Sequence, residues 1–271
     1  TEELFTKRSK TYFQQNYIPL WIIGSKHIKA KRSNVFSLSN FEYFFLRKTK
    51  DGQLILPSYC PEEKQFQILS SIYPYSIKNA IASSCQRSVH NTGIEEILEP
   101  KLFHQFNLSK WTYETESFSI NWSLHPNPIQ TRFLREIYNH NLNLYLLPPE
   151  IGLPVTHSLL IQTPAIVWQT YIYIDNLQNK SPNALIDLKE VERNYNKRIK
   201  RNEITIRKIP QLADENSFIA VREYFIQLER LGMVRKRSET MYQLQHQVFV
   251  PQSNREKEER RNEFQQKISS S

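Results

Sequence analysis

Glycine is scarce in this chain, with five residues among 271. None of them belongs to a Gly-rich loop of the kind that cradles phosphates, which argues against a nucleotide-binding motor. The two cysteines, Cys60 and Cys85, form no metal or redox motif, so the reducing cytoplasm is the expected compartment. No apolar run approaches the roughly 18 residues of a transmembrane helix and no signal peptide is visible, so the sequence predicts no membrane span.

Metal-ligand spacing is also missing among the seven histidines. They lack the i, i+4 or short-loop spacing of ligands and are interpreted as surface or satisfied core residues. Glu95, Glu96 and Glu99 form an acidic patch at helical spacing, which fits a solvated helix face. The histidines stand at positions 27, 90, 104, 125, 140, 157 and 246.

Positive charge is what the chain has in excess. The net charge is +9 and the pI is about 9.4, a balance that suits a polyanionic partner, nucleic acid above all. Charge alone leaves open the alternative that the protein is basic and binds nothing anionic. With 39% hydrophobic residues the chain can build hydrophobic cores, and its length allows two domains.

The opening stretch organises the N-terminal part of the chain. Glu2 to Gln15 carries apolar side chains at helical spacing, with acids first and bases later, as the helix dipole favours. Leu20 to Ile23 is an unbroken apolar run between Pro19 and Gly24, which predicts a strand buried on both faces. Such a strand needs neighbours, and the sequence begins at Thr1 rather than at an initiator Met. We therefore expect the earlier strands of this sheet to lie upstream.

The central region, residues 36–163, has the pattern of an α+β domain. Ser39 and Glu42 form a capping box that opens a helix, and Asn127 with Pro128 begins another that runs to about Asn139. Strand-like runs on both sides of a turn predict a hairpin. The predicted strands are 53–59, 65–73, 111–124 and 142–147, and the further predicted helices are one on Ile77, Ile81 and Cys85 and a short one at 94–98.

From Ala165 the chain becomes helix-rich and charged. Asp187 caps the second helix of this part, and Gly232 stands where the third needs a left-handed cap. Helices followed at once by a two-stranded ribbon are typical of a winged-helix domain. From Pro251 onward the charged tail is expected to be disordered or a frayed helix. The predicted elements are helices at 165–176, 187–199 and 218–231 and strands at 233–234 and 242–250.

Two groups of basic residues are candidates for DNA binding. Arg235, Lys236 and Arg237 stand at the hairpin tip, where they would contact backbone phosphates without reading sequence. A second group would widen that patch from the outer face of the preceding helix. That face carries Arg193, and its DNA-binding candidates are Lys197, Arg198, Lys200 and Arg201. Winged helices also serve as protein-docking modules, and exposed charge at a tip is often only solvated, so both alternatives stay open.

The opening helix and strand resemble the competence protein CoiA-like family. That family has a nuclease core of the PD-(D/E)XK type, then a helix with a spaced Arg and Tyr, then a strand that ends Trp-Ile-x-Gly. Arg8, Tyr12 and the run from Trp21 to Gly24 stand at those positions here. The stretch from Pro164 to Gln169 resembles the family's Trp-Gln helix ahead of its C-terminal domain. The resemblance covers most of the chain in the order of its elements.

The resemblance implies a cytoplasmic protein with a nuclease-like fold that processes DNA taken up during natural transformation. It also implies that the metal-binding Asp and the Glu-x-Lys lie on strands upstream of Thr1, so no catalytic residue and no metal ligand is expected in this chain. Such chemistry needs two carboxylates near one divalent ion, with a Lys to orient water or stabilise charge. An ion such as Mg²⁺ or Mn²⁺ would therefore belong to the intact protein.

Arg8, Tyr12 and Trp21 are the residues that the resemblance assigns to support of the nuclease core. Arg8 and Tyr12 would lie beside the catalytic strand, where they could contact a phosphate. The alternative is that Arg8 pairs with Glu2 or Glu3 and that Tyr12 packs under Trp21.

A second arrangement imitates the nuclease motif. Asp51, followed after a gap by Glu62, Glu63 and Lys64, spells Asp and then Glu-x-Lys. The strand predicted between them would hold Asp51 and Glu62 roughly 20 Å apart, whereas carboxylates that share an ion need oxygens within a few ångströms of it. A solvated hairpin is the preferred interpretation.

The sequence therefore predicts an α+β protein of four segments. These are the end of a truncated nuclease-like α/β core (1–35), a central α+β domain (36–163), a C-terminal winged-helix-like domain (164–250) and a charged flexible tail (251–271). The first hypothesis is a CoiA-like fragment for DNA processing that is inactive as an enzyme without the missing strands. The second is a non-enzymatic winged-helix DNA-binding protein, such as a replication initiator or regulator. The third is a module that docks a recombination or competence protein.

Overall fold

The chain forms two units in the computed structural model, which describes residues 2–17, 19–101, 106–124, 126–212 and 214–269. The first unit consists of Thr1–Asn107 with Arg207–Asn216, and the second of Leu108–Ile206 with Ser217–Ser271. The fold is mixed α+β, as the sequence predicts. The division into four segments stays a prediction, and histidines 104 and 125 lie outside the described residues.

A seven-stranded sheet forms the centre of the first unit. Its strands are Ile23–Gly24 (β1), Lys29–Arg32 (β2), Val35–Ser37 (β3), Arg47–Lys48 (β4), Leu54–Cys60 (β5), Gln65–Pro74 (β6) and Asn79–Ser88 (β7). They lie in the order β1-β5-β6-β7-β3-β2, and β4 pairs with β5 as well. The predicted hairpin is confirmed, because β5 and β6 pair antiparallel with Tyr59 opposite Phe66.

Among its described residues, the first unit has three α-helices: Glu2–Gln14 (α1), Asn40–Tyr43 (α2) and Ile94–Leu98 (α3). All three are predicted from the sequence. The capping box of α2 is confirmed: the Ser39 amide donates to Glu42 Oε2 at 2.5 Å, and the Phe41 amide donates to Ser39 Oγ at 3.3 Å.

The strand predicted at residues 20–23 is wrong except at its end. Only Ile23 belongs to β1, where it is buried and lies opposite Ser58 in parallel register. The preceding residues are half-buried. The ring of Trp21 packs against Phe5 of α1, with centroids 4.5 Å apart. The apolar run is therefore used partly to pack on a helix, not to fill both faces of a strand.

The helix predicted on Ile77, Ile81 and Cys85 is wrong, because Ile81 and Cys85 lie in strand β7. These positions are four apart, a spacing that fits one face of a helix and equally one face of a strand, where the side-chain period is two. In β7, Ile81 is buried and Cys85 is opposite Ile68 of β6.

Residues 207–216 complete the core of the first unit. Ile209 and Leu212 are buried in it, and the guanidinium of Arg207 lies 3.8 Å from the ring centroid of Tyr43. At the far end of the segment, Glu215 pairs with Lys48 at 2.6 Å. The first unit is thus built from two distant parts of the sequence.

Helices dominate the second unit. The predicted helices of the C-terminal part are confirmed, and the charged tail is helical. The bounds are Leu108–Leu124 (α4), Pro128–Asn139 (α5), Ala165–Asn176 (α6), Leu188–Lys200 (α7), Phe218–Arg230 (α8) and Asn254–Ser269 (α9). Across the described residues, no helix is long and apolar enough to cross a membrane.

The strand predicted at residues 111–124 is wrong, because the segment is the helix α4. Its buried positions follow helical spacing but include polar residues, whereas several of its apolar side chains are exposed. The buried positions are Trp111, Glu114, Thr115 and Ser119, and the exposed apolar ones are Tyr113, Ile120 and Leu124.

The strand predicted at residues 142–147 is also wrong. Leu142 and Leu147 are buried, but the segment forms a 3₁₀ turn at Leu144–Leu146. The side chain of Asn143 accepts a hydrogen bond from the Tyr145 amide at 2.9 Å. Asn side chains that bond the backbone two residues on favour turns over strands.

A small antiparallel sheet accompanies the last helices. Its strands are Leu185–Asp187 (β8), Val234–Lys236 (β9) and Met241–Leu244 (β10), in the order β8-β10-β9. The predicted last strand therefore ends earlier than Val250. The left-handed cap is confirmed, since Gly232 has φ +75° and its amide donates to the Glu229 carbonyl at 2.8 Å. The elements follow one another as α6, β8, α7, α8, β9 and β10.

Candidate nucleic-acid interface

The hairpin of β9 and β10 carries the first group of predicted basic residues, Arg235, Lys236 and Arg237, which are all exposed. Lys236 Nζ pairs with Glu239 Oε1 at 2.7 Å, and this hydrogen bond raises the pKa of Lys236 and lowers that of Glu239. Arg237 Nε donates to Gln243 Oε1 at 2.9 Å. The hairpin tip therefore presents three cations to solvent, one of which has a carboxylate beside it. We call these three residues the basic tip.

The helix α7 presents a charged outer face because it buries the opposite one. The carboxylate of Asp187 accepts a hydrogen bond from the Lys189 amide at 2.9 Å and caps the first turn. Apolar side chains then recur at helical spacing on the inner face. Those buried are Leu188, Val191 and Tyr195.

Four exposed cations form a line along that outer face. Their spacing of four, four and three residues places Lys189, Arg193, Lys197 and Lys200 on one side of the helix. We call this line the basic stripe. Arg201, predicted with this group, is exposed just after the helix ends. Lys189 is missing from the sequence prediction, although its i, i+4 spacing from Arg193 was a signal that could have identified it.

The basic tip and the basic stripe meet at the N-terminal end of α7. The Leu188 amide donates to the Thr240 carbonyl at 2.8 Å, which fastens the hairpin turn to the first residue of the helix. Lys200 lies twelve residues further on, about 18 Å away at 1.5 Å per residue. Lys197, Lys200 and Arg201 are therefore distant from the tip, and Lys189 and Arg193 bridge the gap.

Arg198, predicted as a DNA-binding residue on the outer face of α7, is instead buried, with 7% of its surface exposed. Its guanidinium pairs with Asp175 at 2.6 Å, Glu136 at 2.6 Å and Glu203 at 2.8 Å. Burial by itself lowers the pKa of Arg198, but the hydrogen bonds that its guanidinium donates to these carboxylates, together with their charge, outweigh burial and raise it. Arg198 is thus the centre of an internal ion network and has no surface to offer a phosphate.

Helix α8 has a surface of mixed charge. Arg222 and Arg230 are exposed, but Glu229 accepts a hydrogen bond from the Lys236 amide at 2.9 Å. Glu223 is paired with His157 Nδ1 at 2.5 Å. In a helix-turn-helix arrangement the second helix is the one that enters the major groove. Here the continuous line of cations lies on the first helix of the pair, α7.

The three residues assigned to support of the nuclease core lie on and near α1. Tyr12 is 40% exposed, and its ring centroid is 6.3 Å from that of Trp21, as the packing alternative expects. Arg8 is exposed, and its contact with a phosphate stays a prediction. The indole Nε1 of Trp21 is buried without a hydrogen-bond partner among the described residues.

The arrangement that imitates the nuclease motif is spread over two turns. Asp51 precedes β5, whereas Glu62, Glu63 and Lys64 follow it, and all four residues are exposed. Cys60 Sγ lies 3.4 Å from Glu62 Oε2. Within the described part of the chain, no group of three or more His, Cys, Asp or Glu side chains could hold a metal ion.

The Trp-Gln pair of α6 lies in the core of the second unit. Trp168 and Gln169 are fully buried. Trp168 Nε1 donates to Ser158 Oγ at 3.4 Å, and its ring packs edge-on against Tyr224 with centroids 5.6 Å apart. This pair therefore serves packing and does not line an exposed site.

Comparison with known proteins identifies two domains of one family in the chain. Residues 1–102 match the nuclease-like domain of competence protein CoiA, and residues 106–257 match the C-terminal domain of competence protein CoiA. Competence protein CoiA of Bacillus subtilis (strain 168) is 27% identical over 246 residues, which cover 89% of this chain. The chain spans 64% of the length of that relative. No solved structure matches the chain.

Proposed function

We propose that this chain, which belongs to the competence protein CoiA family, binds DNA in the cytoplasm during natural transformation. The observation that carries the proposal is the line of exposed cations formed by the basic stripe and the basic tip. A nuclease-like domain in the same chain is compatible with a DNA partner.

The basic stripe places like charges next to one another, which costs helix stability and therefore supports a functional role for the stripe. Like charges at i, i+4 destabilise a helix by a few tenths of a kcal/mol per pair, and Lys189, Arg193 and Lys197 form two such pairs. The helix dipole favours cations only near the C-terminal end, which accounts for Lys200 but not for Lys189. A polyanion along this face would offset the repulsion between the cations.

The expected mode of binding is contact with backbone phosphates. Lys and Arg side chains on an exposed helix face and on a hairpin tip neutralise phosphates, which gives salt-dependent and sequence-tolerant affinity. DNA processing, including metal-dependent cleavage with Mg²⁺ or Mn²⁺, is part of the same proposal. The residues of this chain would hold the DNA for that step.

A second candidate function is sequence-specific DNA binding without catalysis, as in a replication initiator or regulator. The order of elements from α6 to β10 favours it, because it is typical of winged-helix domains. The two candidates differ in sequence preference, since a regulator binds its own site with an affinity about 10³-fold or more above that for random sequence. Binding equal for unrelated sequences favours the first candidate.

The experiment is fluorescence anisotropy with labelled duplex and single-stranded oligonucleotides of random sequence. The first variant reverses the tip (Arg235→Glu, Lys236→Glu, Arg237→Glu), and the second reverses three of the four residues of the stripe (Lys189→Glu, Arg193→Glu, Lys197→Glu). Each is expected to weaken binding about tenfold or more at 0.15 M salt, because three side chains that neutralise phosphates become anions that repel them.

A matched control reverses three exposed lysines of the first unit, namely Lys29, Lys31 and Lys78. It changes the net charge equally but is expected to weaken binding less than threefold. Equal reductions in affinity for all three variants would mean that only net charge matters. Unchanged binding in both test variants would contradict the proposal and favour a module that docks a recombination or competence protein.

A further inference from the structure

A charged cleft belongs to the first unit, whereas the proposed DNA-binding line belongs to the second. Strand β4 and the turn after it form one wall, and helix α3 forms the other, with a cavity of about 980 Å³ between them. That volume is at the upper end of what small-molecule sites occupy. Five cations line the cleft: Arg47, Lys48, Lys50, Arg87 and Lys101.

Arg47 in this cleft has one side-chain nitrogen without a hydrogen-bond partner among the described residues. That nitrogen is Nη1, which is buried, whereas the side chain as a whole is half-buried. Burial lowers the pKa of Arg47, while the charge of Glu99 acts in the opposite direction. The rest of the guanidinium lines the cleft, where an anion would accept hydrogen bonds from it and add to the negative charge that Glu99 supplies.

The neighbouring cations differ in how far they are already engaged. Lys48 Nζ pairs with Glu215 at 2.6 Å, which fixes it at the edge of the cleft. Lys50 is exposed, and its backbone amide donates to Glu99 Oε2 at 2.9 Å, which joins the turn to α3. Lys48 is thus engaged by a carboxylate, and the other cations that line the cleft are Arg47, Lys50, Arg87 and Lys101.

The opposite wall restricts what that anion can be attached to. Glu95 and Glu96 of α3 and Glu99 just after it line the same cleft and would repel a polyanion that filled it. A ligand with one phosphate and a neutral body that carries hydroxyl or amino donors suits both walls. The phosphate would lie at Arg47, and the donors would bond to the carboxylates.

From this arrangement we propose that the cleft binds the phosphate group of a nucleotide, with Arg47 as its anchor. The nucleotide is either free or the phosphorylated end of a nucleic-acid strand, and both offer the same chemistry to the cleft. This proposal goes beyond the DNA-binding line of the second unit and does not depend on it.

The test uses the full chain with both the basic tip (Arg235→Glu, Lys236→Glu and Arg237→Glu) and three residues of the basic stripe (Lys189→Glu, Arg193→Glu and Lys197→Glu) reversed, so that DNA binding there does not obscure the result. The probes are inorganic phosphate, thymidine 5′-monophosphate, and a short single-stranded oligonucleotide with and without a 5′-phosphate. Isothermal titration calorimetry measures the affinity for each. Binding of the monophosphate identifies the free nucleotide as a source, and binding of the oligonucleotide only with its 5′-phosphate identifies the strand end.

Variants on the two walls of the cleft are expected to change the affinity for phosphate in opposite directions. Arg47→Gln weakens phosphate binding tenfold or more, and Lys50→Gln, an exposed change that leaves the fold intact, weakens it severalfold. Glu96→Gln on the acidic wall strengthens binding severalfold. Lys29→Gln, on β2 and outside the cleft, changes it less than twofold.

Three results would overturn the inference. One is that none of the phosphate probes binds; another is that Arg47→Gln and Lys50→Gln leave the affinity unchanged; the third is that Lys29→Gln weakens binding as much as they do. Loss of DNA binding in the variant with tip and stripe reversed, together with retained monophosphate binding, supports the cleft independently. Failure of DNA binding through the tip and stripe, with phosphate still bound at Arg47, would contradict the proposed function alone.

Discussion

Gln169 and Leu153 are joined by two hydrogen bonds of opposite direction. The Leu153 amide donates to Gln169 Oε1 at 2.8 Å, and Gln169 Nε2 donates to the Leu153 carbonyl at 2.8 Å. Oε1 also accepts from the Gly152 amide at 2.7 Å. One fully buried side chain thus satisfies three backbone groups of an irregular loop, which water cannot reach. Gln169 is therefore expected to contribute to the stability of the second unit.

Replacement of Gln169 tests this explanation. Gln169→Leu keeps the volume but leaves three buried backbone groups without partners, at about 1–3 kcal/mol each. We expect the second unit to lose about 3 kcal/mol or more in free energy of unfolding, measured by urea titration. Gln247→Leu, at an exposed position, is the control and is expected to stay within about 0.5 kcal/mol of the parent. Equal stability of the two variants would contradict the assignment.

Arg198 and its neighbour Lys197 separate stability from DNA binding. Arg198→Met leaves three carboxylates near one another without their shared cation, and loss of one partner of a buried ion pair costs about 3–5 kcal/mol. Lys197→Met, next in sequence but exposed, is expected to change stability by less than about 0.5 kcal/mol and to weaken DNA binding. Urea titration and anisotropy on both variants check this. A stable Arg198→Met variant with weakened DNA binding would contradict this account and assign Arg198 to the DNA-binding interface.

Buried tyrosines make the second unit sensitive to alkaline pH. Burial, aided by the charge of Glu150, raises the pKa of Tyr173 from 10.0 to about 12. Burial also raises the pKa of Tyr171, Tyr195 and Tyr224. Each phenol stays neutral in the folded state while it ionises in the unfolded state. The contribution of these tyrosines to the free energy of unfolding is therefore complete below about pH 10. It is lost as the pH rises from there through the pKa of the folded state, at up to about 1.4 kcal/mol per pH unit for each group.

Tyr173→Phe is the variant that isolates one of these groups. Its free energy of unfolding, measured by urea titration at pH 8, 10 and 11, is expected to fall less steeply above pH 10 than that of the parent. Tyr138→Phe, at a position 57% exposed, is the control and is expected to keep the slope of the parent. A slope unchanged by Tyr173→Phe would show that this phenol does not titrate as its burial requires.

The sequence predicted those elements whose signals come from local chemistry. The caps at Ser39, Asn127 and Asp187 identified three helix starts. In each case the side chain accepts a hydrogen bond from a backbone amide in the first turn, so the signal depends only on residues close in sequence. Gly232 marked the end of α8 for an equally local reason, its positive φ. Elements defined by such residues were predicted correctly.

Elements defined only by apolar spacing were predicted less well. In α4 the pattern of apolar residues does not follow the buried face, since Glu114 is buried and Ile120 is exposed. Residues four apart in β7 fit both helix and strand. The position of Arg198, three residues after the buried Tyr195, was a signal for the inner face of α7, but the sequence could not show that Asp175 and Glu203 pair with it there.

The salt dependence of DNA binding tests the central claim most directly. For each phosphate that the protein no longer neutralises, the slope of log K against log salt concentration becomes shallower by about 0.9 on duplex DNA. We predict that reversal of the basic tip or of the basic stripe makes the slope shallower by about 2–3 and that reversal of Lys29, Lys31 and Lys78 leaves it within about 1 of the parent value. A parent slope near zero, or the same slope in all variants, would contradict the assignment of DNA binding to this face.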